Sequence, residues 1–128
     1  MCRRIGSVQK RDGACLMVGK TKLATKAHKR RFMALQDMGC ICCTFEGIHL
    51  EPAEIHHITS CGRRLGHEYS LPLCPYHHRG VNLSALPEQA LYDLKGPSLA
   101  RQKREFVERY GSELQLLQIV DQRLRSAA

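Results

Sequence analysis

Two short pairs, Cys40-x-x-Cys43 and Cys74-x-x-His77, constrain this chain more than any other feature in it. A two-residue gap lets both members of a pair reach one ion, and the two pairs together describe a tetrahedral zinc site with three thiolates and one imidazole. The rival reading, four unpaired buried residues, requires two such gaps to coincide by accident. The fold must therefore carry the segment at Cys43 back to the segment at Cys74. Five of the seven cysteines lie between Cys40 and His78, where most of the histidines also fall. Three of these, His56, His57 and His78, are not needed for the zinc site and flank it, which is where a second, catalytic metal would sit.

A chain of 128 residues is one domain's worth, and its hydrophobic content of 43% includes only 5% aromatic residues and no Trp. Aliphatic side chains must fill the core, and a metal staple would help a domain this small. No charged start followed by an apolar run and a cleavage site marks the chain for secretion, so the thiols are read as reduced and metal-bound. No apolar run approaches the ~20 residues that span a bilayer, and no membrane partner is expected. The formal charge of +8 favours a polyanionic partner, with nucleic acid first among the candidates.

Residues 1–20 have neither a helical nor a strand period, contain three glycines and include Gln9-Lys10-Arg11, which reads as a basic mobile arm. From Thr21 a helical stripe begins: Leu23, Ala27, Ala34 and Met38 beside Ala24, Phe32 and Leu35, with Lys26, Lys29, Arg30 and Arg31 opposite and Gly39 as the stop. Thr44 to Gly47 reads as the turn of a zinc knuckle. A short strand over Ala53–Ile58, a loop holding Gly62, Arg63, Arg64 and Gly66, and a second strand around Ser70–Leu73 make a hairpin with a long connection. Pro75 suits the first turn of a helix, which puts Cys74 at its start and His77 and His78 in its opening turns. Strand, strand and helix with ligands at fixed places form a ββα-metal arrangement, within a small α+β fold flanked by an N-terminal helix and C-terminal helices. A short helix is expected between Leu86 and Leu94. Gly96-Pro97-Ser98 then starts a helix with Leu99, Phe106, Val107 and Tyr110 on one face, closed by Gly111. Ser112 with Gln115 is a capping-box signature before a last helix striped by Leu114, Leu117, Val120 and Leu124, and the two C-terminal helices are expected as an antiparallel pair against the metal core.

Four blocks in order, Ala53-Glu-Ile-His56-His57, Gly62-Arg63-Arg64-Leu-Gly-His67, Leu71-Pro-Leu-Cys74-Pro-Tyr-His77-His78-Arg79-Gly80 and Gly96-Pro97-Ser98-Leu-Ala-Arg101, resemble the HNH nucleases. Within that class the chain is similar to the bacteriophage recombination-enhancement, RecA-dependent nucleases, over roughly residues 28–117. The resemblance implies a zinc-stapled HNH nuclease domain over residues 21–128 that cuts DNA phosphodiesters in phage recombination. It also implies one divalent cation, Mg2+ or Mn2+, and by position His57 matches the general base while His56 and His78 match the holders of that ion. Cys40, Cys43, Cys74 and His77 match the structural Zn2+ ligands. The middle residue of the triad is normally an Asn, which this chain lacks; Tyr69 or His67 stands in that neighbourhood, and either could orient the base. The resemblance further implies DNA and the RecA filament as partners and a cytoplasmic location in a bacterial host cell. A monomer is expected.

These residue types suit the chemistry. A neutral imidazole can take a proton from water at neutral pH if a partner fixes its tautomer. A cation beside the scissile phosphate supplies Lewis-acid and leaving-group stabilisation. Arg63, Arg64 and Arg79 are near enough in sequence to hold flanking phosphates, contacts that position DNA without reading it. The competing reading is a non-catalytic zinc-stapled DNA-binding or adaptor module. The adjacent His56-His57 pair favours the enzyme, and the missing Asn favours the adaptor. His28 and His49 read as surface residues, and Cys42 and Cys61 as small packing residues.

Overall fold

The computed structural model describes residues 23–127, so the arm expected over residues 1–20 lies outside the described residues. The first element is helix α1 (Lys26–Met38), and a reciprocal cap fixes its start. The Thr25 hydroxyl accepts the His28 N–H at 3.2 Å, while the Thr25 N–H donates to His28 Nδ1 at 3.1 Å. The helix therefore begins later than the expected Thr21, and its buried face is reset accordingly. Leu35 is fully buried with Phe32 and Met38 beside it, whereas Leu23 is 92% exposed and Ala27 is also outside the core. Arg31, expected on the solvated face, is drawn inward: its guanidinium donates to Ser70 Oγ at 3.0 Å, the Ser70 carbonyl at 2.9 Å and Asp121 at 2.8 Å.

Gly39 ends α1 with φ +81, and a Cβ there would lie 3.0 Å from the Glu51 carbonyl oxygen. Glycine thus allows the close approach in which the Cys40 N–H donates to that same carbonyl at 3.0 Å. A short helix, α2 (Ile41–Phe45), with Cys40 as its N-cap residue and Cys43 inside it, leads into the expected knuckle turn, which closes at Glu46 and Gly47 with the Ile48 N–H on the Cys43 carbonyl at 2.8 Å.

Strand β1 (Glu54–His57) pairs antiparallel with β4 (Ser70–Leu73), matching His56 with Leu71 and His57 with Ser70. The long connection contains a second hairpin that the sequence reading missed, β2 (Thr59–Ser60) with β3 (Arg63–Arg64). Its tip carries Cys61 and Gly62, both at positive φ; Cys61 is exposed and disulfide-bonded, neither the small packing residue nor the reduced thiol expected. Helix α3 (Pro75–Arg79) follows, with Cys74 as N-cap and Pro75 at the first position.

Helix α4 (Glu88–Lys95) occupies the expected place. The segment after it differs: Gly96-Pro97-Ser98 does not start a long helix. The Gln102 side chain accepts both the Ser98 N–H, at 2.8 Å, and the Ser98 hydroxyl, at 3.1 Å, closing a separate turn. Helix α5 therefore spans Lys103–Tyr110, with Phe106 and Tyr110 buried and Val107 38% exposed. The Ser112–Gln115 box forms as expected, at 2.8 and 3.1 Å, and opens α6 (Glu113–Ala127). Its inward stripe is Leu116, Leu117, Val120 and Leu124; Leu114 lies outside it. Helix α6 rests on β4 and is not laid along α5, so the expected antiparallel pair gives way to two separate contacts with the core.

Strand β4 is buried throughout and lies under α1, α2, α3 and α6. Leu35, Ile41, Leu71, Leu73, Phe106, Leu116 and Val120 are fully buried around the cysteine cluster. Each such side chain contributes about 1.5–3 kcal/mol on burial, a small total for a domain of this length and one that a metal staple would supplement. Among the described residues no helix is long and apolar enough to cross a membrane.

Candidate functional site

The two chelating pairs meet. Cys40 and Cys43 come from the start and first turn of α2, Cys74 and His77 from the same places in α3, and their four ligand atoms all lie within 4.8 Å of one another and are buried. His77 Nδ1 is 3.4 Å from Cys40 Sγ, 3.5 Å from Cys43 Sγ and 3.3 Å from Cys74 Sγ, and the Cys43 and Cys74 sulfurs are 3.8 Å apart. A tetrahedron with ordinary Zn–S and Zn–N bonds has edges of ~3.8 Å between sulfurs and ~3.6 Å between sulfur and nitrogen. The four residues fit a structural zinc site, with the helix turns presetting its edges. Hydrogen bonds from Cys40 and Cys43 draw the Cys74 thiol far below its ordinary range, against the effect of burial. Burial pushes the Cys42 thiol, which is outside the tetrahedron, upward and keeps it a protonated packing residue.

The groups behind the ligands fix their orientation. His77 Nε2–H donates to the Lys95 carbonyl at 2.8 Å, which leaves Nδ1 as the ligand nitrogen. The Tyr110 hydroxyl lies 2.6 Å from that same carbonyl and 2.7 Å from Glu46 Oε2. Arg109 grips Glu46 with both Nε and NH2 and, with Tyr110, holds the Glu46 carboxyl below its usual range although burial opposes this. Zinc with three thiolates carries a net negative charge, and Lys95 Nζ lies 3.9 Å from Cys74 Sγ, where its charge offsets that excess.

Successive residues of a strand face opposite sides, and His56 and His57 divide accordingly. His56 meets His78 of α3, with ring centroids 4.9 Å apart. His56 Nε2–H donates to Glu113 at 2.6 Å, and His78 Nδ1–H donates to Glu54 at 2.9 Å. Each ring thereby keeps its other nitrogen uncommitted, with a carboxylate behind it, the usual outer arrangement of a metal-bound histidine. His57 faces α1 instead. Its Nε2 is 3.2 Å from His67 Nδ1, and Phe32 stands edge-on to both rings. Burial, then the charge of Arg64 and the neighbouring rings, lowers the His57 pKa to about 4, so this imidazole is neutral at pH 7.

The remaining expected residues are distributed unevenly. His67 is the neighbour of His57, whereas Tyr69 is 39% exposed. Arg63 and Arg64 are exposed on the second hairpin. Arg79 is committed to Glu54 through Nε and NH2, so it holds the carboxylate that holds His78. His49 is exposed as expected, but His28 is not a plain surface residue: its Nε2–H donates to Glu68 at 3.0 Å and its ring lies 4.9 Å from that of His67. Sequence reasoning missed Glu54, Glu113 and Glu68. Glu54 had a usable signal, since it is two residues before His56 on a strand and shares its face; Glu113 had none linking it to His56.

Fold and site together define a small metal-binding α+β domain whose zinc-type staple supports a group of carboxylate-backed histidines. The sequence profile of the recombination enhancement, RecA-dependent nuclease family matches residues 24–125, nearly all of what is described. The chain belongs to that family of nucleases. No curated protein matches it.

Proposed function

We propose that this chain is an HNH-type endonuclease that hydrolyses DNA phosphodiester bonds in recombination, using one Mg2+ or Mn2+ ion and acting with a RecA filament. The observation that carries the reading is the pair His56 and His78, 4.9 Å apart, each with one nitrogen bonded to a carboxylate and the other uncommitted. These two would hold the ion, leaving most of its coordination sphere to water and phosphate oxygens. When bound, such an ion stabilises charge on the phosphoryl and leaving oxygens. His57, neutral at pH 7, would take the proton of the attacking water, and His67 would fix its tautomer in the place of the missing Asn. Because His56 and His57 face opposite sides of β1, this reading requires the scissile phosphate to lie across the end of that strand. Arg63 and Arg64 would hold flanking phosphates; Arg79, bound to Glu54, would support the ion site instead.

Besides the missing Asn, the non-catalytic adaptor reading has one structural observation in its favour, the separation of His57 from the His56–His78 pair. The two are told apart by nicking of supercoiled plasmid with Mg2+ or Mn2+, with and without RecA filament. Cleavage that needs the divalent ion and is lost in His57→Ala supports the nuclease; plasmid left intact under all conditions, while DNA is still bound, favours the adaptor.

A further inference from the structure

Most basic side chains in the core region are already neutralised. Arg79 binds Glu54, Lys95 binds Glu51, Arg101 binds Glu88 and Arg109 binds Glu46. Among the described residues, exposed cations without a carboxylate partner concentrate elsewhere: Lys26, Lys29 and Arg30 on α1, with Arg63 and Arg64 on β3. Arg123 and Arg125, near the far end of α6, also lack a carboxylate.

The position of the α1 group is informative in two ways. First, it lies on the helix that covers the base. Between Lys26 and Lys29, His28 bonds Glu68 at 3.0 Å and lies against His67, which in turn bonds His57. At about 3.6 residues per turn, Lys26, Lys29 and Arg30 point away from His28, so they form the outer side of the helix whose inner side covers the His67–His57 pair. Second, the charges sit at the wrong end of the helix for stability. A helix N-terminus favours anions, yet the first turn of α1 has no acidic residue and the first acid in the helix is Asp37. Cations kept at the positive end of a helix are explained by an anion outside the fold. Lys26, Lys29 and Arg30 are three and four residues apart, so they line one face over about one turn, ~6 Å, close to the phosphate spacing of an extended nucleic-acid strand.

We infer that the exposed face of α1 at Lys26, Lys29 and Arg30 is a DNA-phosphate track on the outer side of the helix that covers His57. It rests on the proposed DNA substrate and names a surface for it. Glu68 is exposed but bonded to His28, on the other side of the helix from the three cations.

The test is DNA binding by fluorescence anisotropy across a salt series without divalent ion, so that cleavage does not enter. Lys26→Ala/Lys29→Ala/Arg30→Ala is compared with Arg104→Ala/Arg123→Ala/Arg125→Ala, which removes the same formal charge. Alanine is the best helix former, and the α1 variant should melt no lower than wild type. Its affinity at low salt should fall at least tenfold, and its salt slope should drop by about 2–3, one unit or slightly less per lost phosphate contact. The control should retain most of the affinity. Equal loss in both variants, or no loss in the α1 variant, overturns the track while leaving the nuclease reading intact; a wild-type chain that binds no DNA overturns both.

Discussion

His78 Nδ1 lies 2.9 Å from Glu54 Oε1, and the next residue in the chain, Arg79, grips the same carboxylate with its guanidinium. Glu54 therefore stays ionised, with the Arg79 hydrogen bond and then that of His78 lowering its pKa against burial. The outer carboxylates should be measurable through metal activation. Glu113→Gln and Glu54→Gln should each raise the divalent-ion concentration for half-maximal cleavage by about 10–100-fold, with activity recovered at high ion concentration. Unchanged metal dependence in both variants would remove the ion from His56 and His78.

His57→Ala should behave differently. Loss of a general base lowers cleavage by about a hundredfold or more, and no excess of Mg2+ or Mn2+ should restore it. DNA affinity and zinc content should match wild type, which single-turnover cleavage, anisotropy and elemental analysis would check together.

Purified protein should carry one zinc per chain at the Cys40–Cys43–Cys74–His77 site. Cys74 caps α3 and would also ligate the metal, so Cys74→Ser should lose the metal and the cooperative melt together. A strong chelator should produce the same loss in wild type, reversed by added Zn2+. Folded, active protein free of zinc would refute the site.

Tyr110→Phe should cost about 1–3 kcal/mol in denaturant unfolding at saturating zinc, because Glu46 loses a partner in a buried setting. The acid dependence follows from Glu46 itself. Its folded pKa is lowered, first by Arg109, so its contribution is fully present above the ordinary Glu range and is lost as pH falls through the lowered value. The stability gap between wild type and Glu46→Gln should therefore be widest near neutrality and close in acid.

What was legible in the sequence was local. The CxxC and CxxH gaps work within single helical turns, so four ligands could be paired off before any fold was known, and Pro75 marked the start of the helix that holds two of them. The Ser112–Gln115 box was legible for the same reason. Where a side chain answers to a partner far along the chain, the pattern was silent. Arg31 looks like its basic neighbours until Ser70 and Asp121 are brought against it, and Glu113 looks like any first-turn acid until His56 arrives. The false start at Ser98 has a local cause that helix signatures do not encode: Gln102 folds back and closes the turn on itself. The Thr25-x-x-His28 box was readable but unusual, since His takes the place of Glu or Gln.

The back-to-back placement of His56 and His57 on β1 makes the site sensitive to length more than to composition. Inserting a single residue just before His56, with the pairing at Glu54 kept, would carry His56 to the place beside Phe32 and His67, move His57 one register place further on, and leave no imidazole of this strand beside Glu113 and His78. The tip of the second hairpin is held differently, by the pairing of Ser60 with Arg63 and by the disulfide at Cys61. What the strand must keep is therefore the count between Glu54 and the two histidines, whatever residue stands at Ile55.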